Sequence, residues 1–312
     1  MNDSPSVAVP RRQFLKRLGI ASAGASFFRA GALDCFAAQL APPLVVFTKV
    51  YQTLKLSFSD SAALTEKAGL NGVDVPVRPG GEIEPERATD ELPRYAEALR
   101  TRHLTMPLLT TAILSPSSPH AEDILRTARK LGVQYYRVGF IERETGASAE
   151  KQMREAKAQL KDLAALNRQI GIGGLVQNHS PSGHSYLGGD LGELQELVSG
   201  LDPAEMGIAF DIGHALIVHG DQWRSHFEKL KPYLKIAYVK DAKKEGRWVP
   251  FGQGDVAGAG YFKLLKELNY HAPISLHIEF DWTNQGKTKT KDALIKALKE
   301  SATVLRGWLA EA

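Results

Sequence analysis

The sequence predicts an α/β protein: a single (β/α)₈ TIM barrel preceded by a cleavable signal segment. From residue 44 onward, eight short runs of β-branched, aliphatic or aromatic residues are separated by segments with apolar residues three or four positions apart. This alternation of strand and helix patterns is typical of a parallel sheet. Eight such units in about 270 residues also match the usual size of this barrel.

The eight predicted strands are spaced evenly along the chain. They are the runs at 44–50, 72–77, 106–111, 135–140, 172–178, 206–212, 234–241 and 273–280. An open, doubly wound sheet is the rival architecture, and it would normally carry a glycine-rich dinucleotide-binding turn after the first strand. Here the sequence TKVY follows instead, at residues 48–51. We therefore expect one barrel domain over residues 44–312 and no nucleotide cofactor.

Residues 1–43 differ in composition from the rest of the chain. Arg11 and Arg12 are followed by Phe-Leu-Lys and then by a run of small and apolar residues over 18–28. This order is typical of an export signal, and the paired arginines resemble the twin-arginine type. An amphipathic helix lying on the domain is the alternative, but residues 19–26 lack a polar face. We predict a twin-arginine signal peptide with a short linker, recognised by the twin-arginine export machinery, and a periplasmic mature protein.

Most of the excess positive charge belongs to that segment. The whole chain has 39 Lys and Arg residues against 35 Asp and Glu, but without residues 1–37 the counts are 34 and 33. A body this close to neutrality lacks the basic surface of a nucleic-acid-binding protein. The single cysteine, Cys35, also lies there, so the body has no disulfide, and no apolar stretch is long enough to span a bilayer. We expect neither a nucleic-acid partner nor a stable membrane span, and the oligomeric state stays open.

The active site of this fold lies at the carboxyl ends of the strands. Nearly every predicted strand ends in ionisable or amide side chains rather than in simple turn residues. These side chains are Lys49, Arg78, Thr110, Thr111, Arg137, Gln177, Asn178, His179, Asp211, His214, Tyr238, Lys240, Asp241, His277 and Glu279. Such a polar rim predicts a site for a polyol or a metal ion.

Alternation along the strands refines this set of residues. Residues two apart share a face of a strand, so three pairs can point into the barrel together: Gln177 with His179, Tyr238 with Lys240, and His277 with Glu279. Asp211 closes an apolar run, where a buried carboxylate needs a cation or hydrogen-bond donors. We expect the carboxylates of Asp211 and Glu279 to face one cavity with His214 at its wall. That combination suits a divalent ion.

Several motifs at these positions resemble a known family. They are FDIGHA (210–215), YVKDA (238–242), PFGQGDV (250–256) and HIEF (277–280). Together they resemble the xylose isomerase-like TIM-barrel superfamily and, more narrowly, its bacterial sugar phosphate isomerase/epimerase branch. VDVPVRPGGEI (73–83) and LVQNHS (175–180) are similar to an exported subgroup that often carries twin-arginine signals. The resemblance covers residues 44–310.

The resemblance implies a carbohydrate substrate and a divalent metal (Mn, Mg, Co or Zn) held by Glu, Asp, His and Glu. It also implies that two of these carboxylates move a proton beside the sugar carbonyl. Asp211 matches the Asp, Glu279 matches the second Glu, and His214 matches a histidine that contacts substrate. Gln177 stands in place of the first Glu and Tyr238 in place of the His ligand. Glutamine cannot act as a general base and un-ionised tyrosine is a poor ligand, so metal-assisted and metal-free chemistry are both open.

We therefore predict a sugar isomerase or epimerase that abstracts a proton next to a carbonyl. The predicted catalytic residues are Glu279 (the base), His214 and Lys240. The predicted substrate-binding residues are Lys49, Arg78, Arg137, His179 and His277, and the predicted metal ligands are Asp211, Glu279 and Gln177. A lyase or hydratase acting on a keto-glycoside is the first alternative, because it needs only one strong base and an acid. A barrel that binds a sugar without turnover is the second.

Overall fold

The fold is known from a computed structural model that describes residues 41–181 and 185–312. Eight parallel strands close into a barrel with helices around it, so the predicted (β/α)₈ barrel is confirmed. The predicted signal segment, with Arg11, Arg12 and Cys35, lies outside the described residues apart from its last three positions. Within the described ranges, no helix is both long and apolar enough to cross a membrane.

The barrel strands follow the chain in order and each pairs with its neighbours. They are β1 (Leu44–Phe47), β2 (Gly72–Val77), β3 (Thr105–Thr111), β4 (Tyr135–Arg137), β5 (Gly173–Gln177), β6 (Met206–Asp211), β7 (Leu234–Val239) and β8 (Ile274–Leu276). Closure comes from parallel pairing of β1 with β8, in which Val45 lies opposite Ser275. The register of β6 against β7 places Asp211 opposite Tyr238, which fixes the height of both residues at the rim.

Nine α-helices surround the strands in the described part of the chain. They are α1 (Phe58–Lys67), α2 (Ala88–Arg100), α3 (Ala121–Lys130), α4 (Ala149–Ile170), α5 (Leu191–Val198), α6 (Ile212–His219), α7 (Trp223–Phe227), α8 (Tyr261–Glu267) and α9 (Lys291–Glu311). Their ends follow from local sequence. Ser148 caps α4 by accepting a hydrogen bond from the backbone N–H of Lys151, and Gly171 ends it at a φ of 78°, where glycine is favoured.

The strands stop earlier than the hydrophobic pattern predicts. The runs predicted at 44–50, 135–140 and 273–280 leave the sheet after Phe47, Arg137 and Leu276. After Phe47 the chain forms a 3-10 helix, Thr48–Leu54, whereas the N–H groups of Val138 and His277 still donate to Leu175 and Val239 of the neighbouring strands. A two-residue antiparallel ribbon, Ile141–Glu142 with Tyr186–Leu187, was not predicted because it is too short to produce a pattern.

Two apolar cores hold the barrel together. The larger core lies between the outside of the sheet and the helices. The smaller core fills the barrel interior and consists of Leu108, Leu175, Ala209, Ile236 and Tyr238. Above this small apolar layer the interior positions are polar, and these polar positions form the site described below.

A separate polar cluster lies between the end of β1, helix α1 and the loop that follows β2. The Thr48 hydroxyl hydrogen-bonds to the carboxylate of Glu82, and the Ser61 hydroxyl donates to the other carboxylate oxygen at 3.4 Å. Burial raises the pKa of Glu82 to about 7, and the hydrogen bond from Thr48 partly opposes that rise. The folded protein therefore holds a proton on Glu82 at pH values where an unfolded chain would release it.

This proton makes the free energy of unfolding depend on pH. Between pH 4.5 and 7 the native state binds more protons than the unfolded state at Glu82, so stability falls as the pH rises through this range. We expect Glu82→Gln to remove that part of the dependence, which urea unfolding at pH 5 and pH 8 would measure. Glu86→Gln, on the exposed surface of the same segment, is the control and should keep the wild-type slope. If the free energy of unfolding of Glu82→Gln depends on pH as steeply as that of the wild type, Glu82 is already ionised in the folded wild-type protein.

Candidate active site

A cavity opens at the carboxyl ends of the barrel strands. Its walls are formed by Phe47, Lys49, Arg78, Thr110, Arg137, Phe140, Gln177, His179, Tyr238, Lys240, His277 and Glu279. Eight of the ten predicted site residues are in this lining, and the other two, Asp211 and His214, lie directly behind it. The three strand-end pairs that share a strand face all line the cavity, as their alternation predicts.

Asp211 is the buried anion of the site. It ends β6, is fully shielded from solvent, and caps α6 by accepting a hydrogen bond from the His214 backbone N–H at 3.2 Å. Its Oδ2 accepts a hydrogen bond from Gln177 Nε2 at 3.1 Å and lies 3.2 Å from Lys240 Nζ. Burial raises the pKa of Asp211, while the nearby ammonium of Lys240 acts in the opposite direction. The ionised form of Asp211 therefore depends on the nearby ammonium of Lys240.

Lys240 lies at the centre of the site. Its Nζ is 2.9 Å from His214 Nε2, 4.0 Å from Glu279 Oε1 and 5.0 Å from the centre of the Trp248 ring, and the residue is 4% exposed. Gly213 makes room for it: a Cβ on Gly213 would lie 3.0 Å from both Lys240 Cγ and Trp248 Cζ3. This close approach gives a physical reason for the glycine in the FDIGHA motif.

The two histidines beside Lys240 are uncharged at neutral pH. Burial and then the charge of Lys240 lower the pKa of His214 well below its usual value, and the same causes lower the pKa of His179 to about 4. The two rings lie 3.8 Å apart, and His214 Nδ1 lies 2.8 Å from the Ser180 hydroxyl. The Ser180 backbone N–H donates to His214 Nδ1 at 3.1 Å, so Nδ1 acts as an acceptor, and Nε2 is the ring nitrogen that faces Lys240 Nζ.

Glu279 is the one carboxylate in the cavity lining. It follows β8, its side chain is 23% exposed, and its Oε2 lies 3.3 Å from Lys49 Nζ. The expectation that Asp211 would face the same cavity is wrong, because Lys240 and Gln177 cover its carboxylate from that side. The two acids therefore differ in environment: Glu279 is accessible to a ligand, and Asp211 is enclosed by protein.

A second buried carboxylate, Asp74, lies below the cavity and was missed by the sequence analysis. Its oxygens accept hydrogen bonds from Thr110 Oγ1 at 2.8 Å and Ser275 Oγ at 3.0 Å, and His277 Nε2 lies 3.9 Å away. Burial raises its pKa to about 6, against these hydrogen bonds and the charge of Arg137. An acid at an inward position of the apolar run GVDVPV was the signal that could have found it.

The aromatic and basic lining residues complete the cavity. The His277 ring stacks on Phe47 and lies tilted against Tyr238, and its Nδ1 is buried without a hydrogen-bond partner. Arg137 packs its guanidinium 4.3 Å from the Phe140 ring, and burial lowers its pKa to about 10, so it stays charged at neutral pH. With Lys49, Arg78, Arg137 and Lys240 against one lining carboxylate, the cavity attracts electron-rich ligands.

One motif residue at the rim holds a loop rather than a ligand. Asp241 accepts hydrogen bonds from the backbone N–H groups of Gly252 at 2.9 Å and Gly254 at 2.8 Å. A Cβ on Gly254 would lie 2.0 Å from an Asp241 oxygen, so this approach requires glycine. The YVKDA and PFGQGDV motifs therefore meet in space, and the Asp of the first one fixes the conformation of the second.

The donors do not fit a divalent metal on Asp211, Glu279 and Gln177, the candidate ligands in the metal-assisted alternative. The Gln177 amide donates its N–H to Asp211, and Lys240 Nζ lies between the two carboxylates. Burial raises the pKa of Tyr238 well above its usual value, which disfavours the phenolate form that a metal ligand would need. Across 41–181 and 185–312, no three His, Cys, Asp or Glu side chains are arranged to hold a metal ion.

The buried Lys240–Asp211 pair should contribute to the free energy of unfolding. Lys240→Met leaves a carboxylate buried without its cation, and breaking such a pair costs about 3–5 kcal/mol of the free energy of unfolding. We expect the double variant Lys240→Met/Asp211→Asn to recover most of that loss, as measured by urea unfolding at pH 7. Lys49→Met is the control, because its ion pair with Glu279 is half-exposed and is worth about 1 kcal/mol or less. A Lys240→Met variant no less stable than this control would contradict the role given to the pair.

Comparison with known proteins places the chain in a structural group. A family model described as "Xylose isomerase-like TIM barrel" matches residues 62–306. A search of curated protein sequences gave no significant match.

Solved structures with this fold include a probable 3-DHS dehydratase of petrobactin synthesis from Bacillus anthracis. It has a TM-score of 0.62 and 16% identity, over 82% of this chain and 97% of that one. The 3-keto-D-glucoside 4-epimerase from E. coli has a TM-score of 0.61 and 13% identity, over 82% and 99% of the two chains. D-psicose 3-epimerase from Clostridium cellulolyticum H10, solved with D-tagatose, has a TM-score of 0.61 and 11% identity, over 81% and 94%.

Proposed function

The chain belongs to the xylose isomerase-like TIM barrel family, and we propose that it is a carbohydrate enzyme that moves a proton next to a carbonyl group, as an isomerase or epimerase. The observation that carries the proposal is the setting of Glu279. This carboxylate lines the cavity and has a lysine on either side, with Lys49 Nζ at 3.3 Å and Lys240 Nζ at 4.0 Å. A base between two cations suits a reaction that removes a proton while negative charge develops nearby.

In the proposed reaction Glu279 removes a proton from the carbon next to the carbonyl, and the C–H electrons shift to give an enediolate. The ammonium groups of Lys49 and Lys240 stabilise the negative charge on its oxygen. Protonated Glu279 then returns the proton to the neighbouring carbon, while a hydroxyl proton moves between the two enediol oxygens. Because one carboxylate reaches the cavity, the geometry favours this transfer on one face, which is an isomerisation, over an epimerisation that needs bases on both faces.

The other lining residues would bind and orient the substrate. His277 lines the cavity and offers its ring to a bound sugar. Arg78 and Arg137 place two further cations beside the cavity, which suits a substrate with several hydroxyls or an anionic substituent. The rings of Phe47 and Phe140 offer apolar surface to the C–H groups of a sugar.

A lyase or hydratase acting on a keto-glycoside is the second candidate. It begins with the same proton abstraction by Glu279, after which the enediolate electrons form a C=C bond and expel the oxygen at the β carbon, which leaves with a proton. The presence of one accessible carboxylate favours it, because elimination needs a single base. Among proteins of this fold, one is a probable 3-DHS dehydratase and another a 3-keto-D-glucoside 4-epimerase. An unsaturated carbonyl product, visible by ultraviolet absorbance, would identify this reaction.

The role of Glu279 is tested by hydrogen exchange with solvent. Ketoses, uronates and keto-glycosides are incubated with the protein in D₂O, and deuterium at carbon is measured by NMR. We expect Glu279→Gln to lower the exchange rate by about 10²–10⁴-fold, the usual contribution of a general base. Glu86→Gln, far from the cavity lining, should exchange at the wild-type rate. Exchange at the wild-type rate in Glu279→Gln would show that Glu279 is not the base. If the wild type exchanges deuterium into no compound of the panel, the result favours a sugar-binding barrel without turnover.

We also propose that residues 1–43 direct export to the periplasm through the twin-arginine machinery. The proposal is supported by Arg11 and Arg12 ahead of the apolar run, a pattern that this receptor reads. Arg11→Lys/Arg12→Lys is expected to leave an uncleaved precursor in the cytoplasm, as measured by cell fractionation and immunoblotting. Arg17→Lys, which keeps the pair, should still be exported. A double variant that still reaches the periplasm in processed form would reject the twin-arginine assignment.

A further inference from the structure

We propose that the ammonium group of Lys240 is the built-in cation of this site and takes the place of a divalent metal between Asp211 and Glu279. The inference deepens the proposed function, on which its catalytic part rests. Its central test measures metal binding, so it does not depend on knowing the substrate.

The position of Lys240 Nζ supports the proposal. It lies 3.2 Å from Asp211 Oδ2 and 4.0 Å from Glu279 Oε1, so it occupies the space between the two carboxylates. A divalent ion bound to both acids would need oxygen distances of about 2.0–2.6 Å. Such an ion would lie within contact distance of the ammonium, and the two positive charges would repel each other. Metal binding therefore requires Lys240 to leave its position.

Packing prevents Lys240 from leaving easily. The side chain is 4% exposed and passes Gly213 and Trp248, where even one added methyl group would be in close contact. Its Nζ is within hydrogen-bond distance of two buried groups, Asp211 Oδ2 at 3.2 Å and His214 Nε2 at 2.9 Å. The same Nζ lies at the cavity wall, 4.0 Å from Glu279 Oε1. Lys240 can thus donate a hydrogen bond to a substrate carbonyl oxygen while the neighbouring base removes the proton.

The charge balance of the site supports the same conclusion. Lys240 pairs with Asp211, and Lys49 pairs with Glu279, so each carboxylate already has a cation. Gln177 adds no charge, and its amide donates to Asp211. A divalent ion would add two positive charges to a cavity that Arg78 and Arg137 already line. Glu279 is the one carboxylate in the cavity lining, and Asp74 below it is already under the influence of the Arg137 charge.

The test is equilibrium dialysis against Mn²⁺ and against Zn²⁺, with bound metal measured by elemental analysis. We expect no saturable one-to-one binding by the wild type. In the triple variant Lys240→Ala/Gln177→Glu/Tyr238→His, the ammonium is gone and two ligand groups are added. We expect this variant to gain at least about 100-fold in metal affinity. Its melting temperature should rise when Mn²⁺ is added, because the ion then compensates the buried Asp211.

The matched control is Gln177→Glu/Tyr238→His, which adds the same ligands and keeps Lys240. It should bind metal as weakly as the wild type if the ammonium is the obstacle. Binding by this double variant as tight as that of the triple variant would overturn the proposal. So would a wild-type metal site that Asp211→Asn abolishes. If the triple variant fails to fold, dialysis of the wild type and its Asp211→Asn variant decides the question alone.

The catalytic role proposed for Lys240 is tested separately, by measuring turnover. Once a substrate is identified, we expect EDTA to leave wild-type turnover unchanged and Lys240→Met to lower kcat by at least about 100-fold. Loss of turnover in EDTA, with recovery on adding metal, would overturn the proposal and leave Glu279 as the base. An absence of exchange on every substrate would reject the proposed function instead, and the metal-binding result for Lys240 would still hold.

Discussion

The buried ion pair between Lys240 and Asp211 is the interaction on which the geometry of the site depends. A carboxylate without solvent contact is costly unless a cation and hydrogen-bond donors surround it. Here the donors come from Gln177 on β5 and from the first turn of α6, and the cation comes from the end of β7. One charge therefore joins three neighbouring strands and a helix at the rim. Because Asp211 is enclosed in this way, Glu279 is left as the accessible acid.

The barrel interior is organised as layers of different polarity. A small apolar layer contains Leu108 and Leu175, and Asp74, which lies opposite Leu108 in the sheet, is hydrogen-bonded by Thr110 and Ser275. The cavity with its cations lies above that. Burial raises the pKa of both Asp74 and Asp211, and their hydrogen-bond donors and neighbouring cations oppose that rise. Asp74 itself is fully buried, and it contacts two residues of the cavity lining, Thr110 and His277.

The family motifs divide into those that carry chemistry and those that shape backbone. In YVKDA, Lys240 faces the cavity while Asp241 holds the glycine-rich loop through its backbone N–H groups. In FDIGHA, Asp211 supplies the buried charge and Gly213 provides the space through which the Lys240 side chain passes. The two motifs thus serve a single arrangement. A change in the glycine of one would move the lysine of the other.

Residue pattern alone was sufficient for the barrel and for the set of strand-end residues around the cavity. This is because hydrophobic periodicity and the position of strand ends are local properties of a chain. The contacts between those residues could not be predicted from the sequence pattern. Whether Asp211 faces the cavity or a lysine depends on where the flexible side chain of Lys240 packs, which is set by Gly213 and Trp248 from other parts of the chain. Asp74 was overlooked because its hydroxyl partners lie 36 and 201 positions away in sequence. Contacts over such distances are decided when the barrel closes, since closure is what brings β2, β3 and β8 together.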